Sequence, residues 1–238
     1  MSTKSINDVE PVEPDIPVEP EEPEKPVFKI PLRENALTTL EAVKVFMGID
    51  LETEDPQRDA ALSQLINAAS AWLETTLGRK LGRRDYRERY TAPGTQRLVL
   101  EQYPIRKIAK ITDTDNDVEL DGYYWDDDGH IGVVYREDGW TYHGHIGGLA
   151  RDYIAPRRYL LVEYTAGYIL PKDATDEEPS DFPADLEAVL WNMIAQQWSI
   201  MDHDAAGLAA FSISDVSWTF DKEISGTWQS VISAYRRW

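Results

Sequence analysis

The densest offer of chemistry in the sequence is Asp113-x-Asp115-x-Asp117, where alternating carboxylates could converge on one hard cation. A calcium loop of that type also needs Gly at its sixth place and Glu at its twelfth, and Val118 and Tyr124 stand there instead. A solvated hairpin loop is the reading. Asp126-Asp127-Asp128-Gly129-His130 also carries hard-metal residue types, but between two extended segments it reads as turn chemistry. His143-x-His145 could chelate zinc from a strand, yet it lies among glycines and its other ligands would have to come from far away. The 43 acids always offer pairs, but no local signal sets two of them in a cleft at the about 5–10 Å a glycosidase needs. There is no Gly-x-Ser-x-Gly, no phosphate loop and no dinucleotide fingerprint. With no cysteine, thiolate metal sites, cysteine nucleophiles and disulfides all fall away. No catalytic residue, metal or cofactor is expected.

The elements that would position these residues are legible in the spacing. Thr38 with Glu41 three residues on makes a capping box; Leu40, Val43 and Met47 repeat at helical spacing and Gly48 stops them, giving a helix over 38–48. Asp55, Pro56 and Gly78 bound a second helix over 56–77, with Leu62, Leu65, Ile66, Ala69, Trp72, Leu73 and Leu77 on one face. The period then changes to two. Tyr86, Glu88 and Tyr90, a Pro93-Gly94 turn, then Leu98 and Leu100 predict one hairpin. Tyr123–Trp125 and Ile131–Tyr135 predict another. The strand Tyr159–Tyr164 closes a β region over 85–168, with residues 136–158 as an insertion. A third helix runs over 183–201 with Leu186, Val189, Leu190, Ile194 and Trp198 as its stripe. The fold class is α+β: a small helical bundle with an antiparallel β-hairpin region, flanked by an extended N-terminal arm and a C-terminal helix.

Composition bounds the partners. The chain has 238 residues and a formal charge of −19, which argues against a protein that grips phosphates. No apolar run approaches the length of a membrane span, and the start lacks a basic-then-apolar export pattern. Residues 1–27 hold eight acids against two lysines, so −6 sits there and −13 in the rest. Pro11, Pro14, Pro17, Pro20, Pro23 and Pro26 recur every third residue, the period of polyproline II, so their rings would line one edge of a rod reaching about 45 Å. The arm (1–35) is either a stiff spacer or a strap with Val12, Ile16 and Val18 as its apolar contacts. At the other end, Trp228, Val231, Ile232 and Tyr235 share a helical face, followed by Arg236-Arg237-Trp238. This segment (223–238) either docks on its own core or fills a partner groove.

The order of motifs resembles a known family. Leu37-Thr38-Thr39-Leu40-Glu41-Ala42-Val43-Lys44 leads into Leu65-Ile66-Asn67-Ala68-Ala69-Ser70, then Leu77-Gly78-Arg79-Lys80-Leu81. Tyr103-Pro104-Ile105, Val162-Glu163-Tyr164-Thr165-Ala166-Gly167-Tyr168, Phe182-Pro183-Ala184-Asp185-Leu186-Glu187-Ala188 and Phe211-Ser212-Ile213-Ser214-Asp215-Val216-Ser217 follow. This collinear set resembles the head–tail connector (adaptor) proteins of tailed bacteriophages over roughly residues 36–238. The resemblance implies a non-enzymatic virion protein assembled as a ring, commonly of twelve copies, in the capsid–tail neck after assembly in the host cytoplasm. Its partners would be the portal above and a tail or stopper protein below, with DNA passing through the channel without specific binding. The arm and the 136–158 insertion depart from the family pattern.

From this follow the assignments. Trp228, Val231, Ile232, Tyr235, Arg236, Arg237 and Trp238 would bind the portal. Val12, Ile16 and Val18 would contact a capsid or other neck protein. Asp113, Asp115, Asp117, Asp126, Asp127, Asp128, Trp140, His143 and His145 would sit on tail-side or lumen loops, the carboxylates repelling the duplex. Two rivals stand: a tail-completion or stopper ring, and an acidic hydrolase or carbohydrate-binding module whose exposed aromatics stack on sugars.

Overall fold

The computed structural model describes residues 29–126, 131–140, 159–203 and 226–236. The chain enters along its longest helix. Pro31, Leu32 and Arg33 run against α2 (Pro56–Leu77), where Asn67 accepts from the Arg33 amide at 2.8 Å and donates to the Pro31 carbonyl at 3.1 Å. The Leu37 amide donates to Ser70 Oγ at 3.0 Å. These polar side chains on a core-facing helix are buried because they satisfy a strap of backbone with no sheet to join.

The first helix, α1 (Leu40–Phe46), is shorter than its sequence pattern suggests, and its cap is Thr39 rather than Thr38. The Thr39 hydroxyl accepts from the Ala42 amide at 3.1 Å. Thr38 is unavailable because its hydroxyl donates to Glu187 at 2.9 Å and accepts from Trp191 Nε1 at 2.9 Å. Helix α2 starts at an Asp55 cap that accepts from Arg58 and ends at Gly78, whose φ of 68° is the left-handed stop. Its buried face packs on α3 (Ala184–His203), and α4 (Gly226–Ala234) lies against α3. Leu62, Leu65, Ile66, Leu73, Leu186, Val189, Leu190 and Ile194 form the helical core.

Among the described residues seven strands follow α2: β1 (Arg84–Thr91), β2 (Arg97–Val99), β3 (Ile105–Asp113), β4 (Val118–Glu119), β5 (Tyr123–Trp125), β6 (Val133–Arg136) and β7 (Tyr159–Ala166). They make an antiparallel sheet β1-β7-β3-β4 and a second one β2-β6-β5. Both contribute to a second core around Leu98, Ile108, Ile111, Val134, Trp140, Val162 and Tyr164. The β5–β6 hairpin is as the sequence suggests. The β1–β2 hairpin is not: β1 pairs with β7 and β2 with β6. The chain turns at Pro93-Gly94 but changes sheets there, and the Gly94 amide donates to the Trp140 carbonyl at 3.0 Å. Alternation fixes which face a residue takes, and it is silent on which strand lies alongside.

Inside the first sheet, the alternating Tyr86, Glu88 and Tyr90 meet β7. Glu88 accepts from Tyr90 and, at 2.5 Å, from Tyr164. Tyr90 and Tyr164 in turn accept from the amides of Glu101 and Gln102, at 2.8 and 3.3 Å, so the triad holds the chain between the sheets. The helical and β layers join at Leu81–Arg83 and Gly167–Tyr168, where Tyr168 exchanges backbone bonds with Leu81 and Arg83, both 2.8 Å.

Gly167 has φ 104°, and a Cβ there would stand 2.6 Å from the Gly82 carbonyl oxygen and 2.9 Å from the Arg83 nitrogen. Gly167→Ala is expected to cost about 3 kcal/mol, from backbone strain and overpacking together. A fall in the urea midpoint of the full chain checks this.

Candidate functional site

The C-terminal helix α4 sits where three elements converge. Ile232 is buried in the helical core, and Trp228, Val231 and Tyr235 pack against it half-buried. Tyr103, just before β3, donates from its hydroxyl to the Tyr235 carbonyl at 3.2 Å. The Tyr235 hydroxyl donates to the Asp185 carboxylate in the first turn of α3, at 2.8 and 3.0 Å. Beneath Tyr103 lies Arg79, the residue after the α2 cap, 3% exposed with its guanidinium carbon 3.7 Å from the Tyr103 ring centroid. Arg79 Nη1 donates to the Tyr103 carbonyl at 2.5 Å. Removed from water, such a stack is worth about 2 kcal/mol. Burial pushes the Tyr235 phenol above its ordinary value, and the hydrogen bond to Asp185 adds to the rise.

The seat thus holds α4 by its apolar face and its last carbonyls, leaving the outer face and Arg236 in solvent. The arm's root lies elsewhere, on α2, fixed by Asn67.

Residues 36–187, spanning α1, α2, every described strand and the start of α3, match the head completion protein family. The chain belongs to that family. As a head completion protein it is a structural virion component, in agreement with the resemblance to phage connectors. A chain in the neck of an empty GTA particle, computed with C6 symmetry, shares the fold at a TM-score of 0.51 and 14% identity, over 89% of this chain and 95% of that one. A chain in the virion of the native gene transfer agent particle aligns at a TM-score of 0.44 and 17% identity, over 81% and 93% of the two chains. No curated protein matches.

In this family member the residues singled out by sequence fall into four groups. Trp228, Val231, Ile232 and Tyr235 come together, but on the protein's own core, which answers the question of what their apolar face covers. Asp113 and Trp140 do not lie on open loops. Asp113 is fully buried at the end of β3, its carboxylate accepting from the Asp115 amide at 3.1 Å and from Asn116 Nδ2 at 2.8 Å. Both oxygens therefore serve the turn rather than a cation. Trp140 fills the β core and donates from Nε1 to the Val134 carbonyl at 3.3 Å, because the segment after β6 folds back over the gap between sheets. Asp115, Asp117 and Asp126 are exposed. Asp127, Asp128, His143, His145, Arg237, Trp238, Val12, Ile16 and Val18 lie outside the described residues.

Arg79 and Asn67 escape sequence reasoning. A charged residue after a helix-ending glycine ordinarily faces water, and only the tyrosine brought over it by β3 makes Arg79 internal.

Tyr90, Tyr164 and Tyr235 all have phenols raised above the ordinary 10.0, chiefly by burial. Below that value both folded and unfolded states are protonated and the stabilisation is complete; above it the unfolded chain ionises first and stability drains away. The urea midpoint should therefore fall as the pH rises from 10 to 11. Tyr235→Phe should cost about 1 kcal/mol at pH 7, the net worth of its hydrogen bond, and lessen that alkaline loss.

Proposed function

We propose that this head completion protein forms a ring in the virion neck, between the portal and the tail, and continues the DNA channel. The observation that carries the reading is the family match across both layers of the fold. The likeness in fold to a chain of a GTA neck is consistent with it, and a sixfold neck accommodates a ring of twelve copies. The charge agrees physically. A conduit that neutralised phosphates would bind DNA and retard it, whereas a body carrying −13 beside the duplex would not. Asp115, Asp117 and Asp126 are exposed and are among the carboxylates able to act in this way.

For the portal contact the seat changes which residues are used. Trp228, Val231, Ile232 and Tyr235 hold α4 to the body, so we assign the contact to the exposed Arg236 and to Arg237 and Trp238, which follow it in sequence. Arg and Trp dominate interfaces out of proportion to their number. This division predicts that the helix orients the basic end while the body anchors it. A tail-completion or stopper ring would have the same fold and charge, and differs only in which proteins lie above and below it.

Two measurements test this. The full chain mixed with portal should run as a closed ring on portal by electron microscopy; a chain that stays monomeric with portal present overturns the ring. Arg236→Glu with Arg237→Glu should weaken portal binding about tenfold, equivalent to about 1.4 kcal/mol, without moving the melting temperature.

A further inference from the structure

The outer face of the three-stranded sheet exposes aromatic and apolar side chains. Arg97 of β2, Tyr135 of β6 and Tyr124 of β5 stand in one row across it. The tyrosine rings stack with centroids 5.4 Å apart and planes at 16°, and the Arg97 guanidinium lies 5.7 Å from the Tyr135 ring. Val99 follows two residues along β2, and Ile131 precedes β6. Val99, Tyr124 and Ile131 are 49%, 56% and 61% exposed. Such a patch marks an interaction surface.

We propose that this face is the docking platform for the proline-periodic arm, residues 11–26, of a neighbouring copy of the same chain. The proposal rests on the ring reading above for its neighbour. Three observations favour this occupant. Extended proline-rich segments dock on aromatic-lined surfaces, and this arm puts a proline on one edge at every turn. Prolines on that edge repeat about every 9.3 Å, and strands two apart in a sheet are about 9.6 Å apart, so a rod crossing the strands sets one proline at Tyr124 and the next at Arg97. Val12, Ile16 and Val18, on the two edges flanking the prolines, supply the apolar complement to Val99 and Ile131.

Reach allows the neighbour as the arm's partner. By the usual size scaling a body of this length has a radius of gyration of about 17 Å and is about 45 Å across, the span of the arm itself. As a polyproline II rod, residues 11–26 would span about the width of the body, which is long enough to reach an adjacent copy from a root held on α2 by Asn67. The arm carries −6 and the body −13, so they repel at long range. The contact is therefore apolar and aromatic, and salt, by screening that repulsion, does not weaken it.

The chain has no cysteine, which makes a clean test possible in the full-length protein. Ile16→Cys in one preparation and Val99→Cys in another are mixed, oxidised with copper phenanthroline and run on a non-reducing gel. The expected result is a disulfide-linked species of twice the chain mass, at least about fivefold above a control pairing Ile16→Cys with Asp85→Cys on the other sheet's exposed face. Adding Tyr124→Ala and Tyr135→Ala to the Val99→Cys chain should remove that excess while leaving the melting temperature within a few degrees. Yield should hold or rise between about 0.05 M and about 0.5 M salt. A yield no better than the control, or one that collapses in high salt, overturns the proposal. So does a chain carrying both cysteines that closes only on itself. Sizing separates the two readings. Crosslinking in a preparation that forms no ring on portal sinks the ring and keeps the docking; a ring without crosslinking above control sinks the docking alone.

Discussion

The stack of Arg79 on Tyr103 is the contact on which the rest of this architecture depends. Gly78 ends α2 in the left-handed conformation and turns Arg79 back beneath the segment that leads into β3. Glu74, one turn earlier and nearly as buried, accepts from the Leu81 amide at 3.1 Å, from Lys80 at 2.9 Å and from Asn35 at 3.2 Å. The two charged side chains thus gather the strap, the end of the helix and the entry to the sheets at one point. Burying an arginine is costly unless aromatic faces and carbonyls replace water. Here Tyr103 supplies one face and one carbonyl, while Nε and Nη2 of Arg79 stay buried without a partner among the described residues, and the Tyr103 hydroxyl reaches on to Tyr235 just past α4.

That arrangement explains how one chain can present separate surfaces to separate partners. The helical core and the β core are distinct clusters, joined at Leu81–Arg83 and Gly167–Tyr168. Because α4 is fixed at this joint, its basic end has a set direction relative to both layers. The arm's root is fixed separately on α2, and the exposed tyrosine row is on the sheet remote in sequence from both. A ring needs different patches on one chain that meet their counterparts on the next, a heterologous contact that closes by rotation. In the proposed ring, rooting each surface on a rigid element would keep that geometry constant from copy to copy.

The helices were legible in the sequence because their signals are local. Asp55, Pro56 and Gly78 bracket α2 within the span of their own hydrogen bonds, and the stripe of Leu62, Leu65, Ile66, Ala69 and Leu73 follows from a 3.6-residue period. Thr39 displaced Thr38 as a cap only because Glu187 and Trp191, about 150 positions away, claim the Thr38 hydroxyl. The same limit accounts for Asp113 and Trp140. Both looked like surface residues, one in an acidic run and one in a glycine-rich insertion. The turn closed around the first and the β core closed around the second.

By itself, the sequence determined the class of the fold, the faces of the helices and strands, the division of charge between arm and body, and the motif order that marks a head completion protein. Each depends on neighbours along the chain or on composition. Only the tertiary structure decided that β1 lies beside β7, that Arg79 is internal, and that the apolar face of α4 covers its own core while Arg236 stays in water. The physical reason is the same in each case. A two- or 3.6-residue period states that a face must be covered, and what covers it is fixed by contacts between segments that may be more than a hundred residues apart.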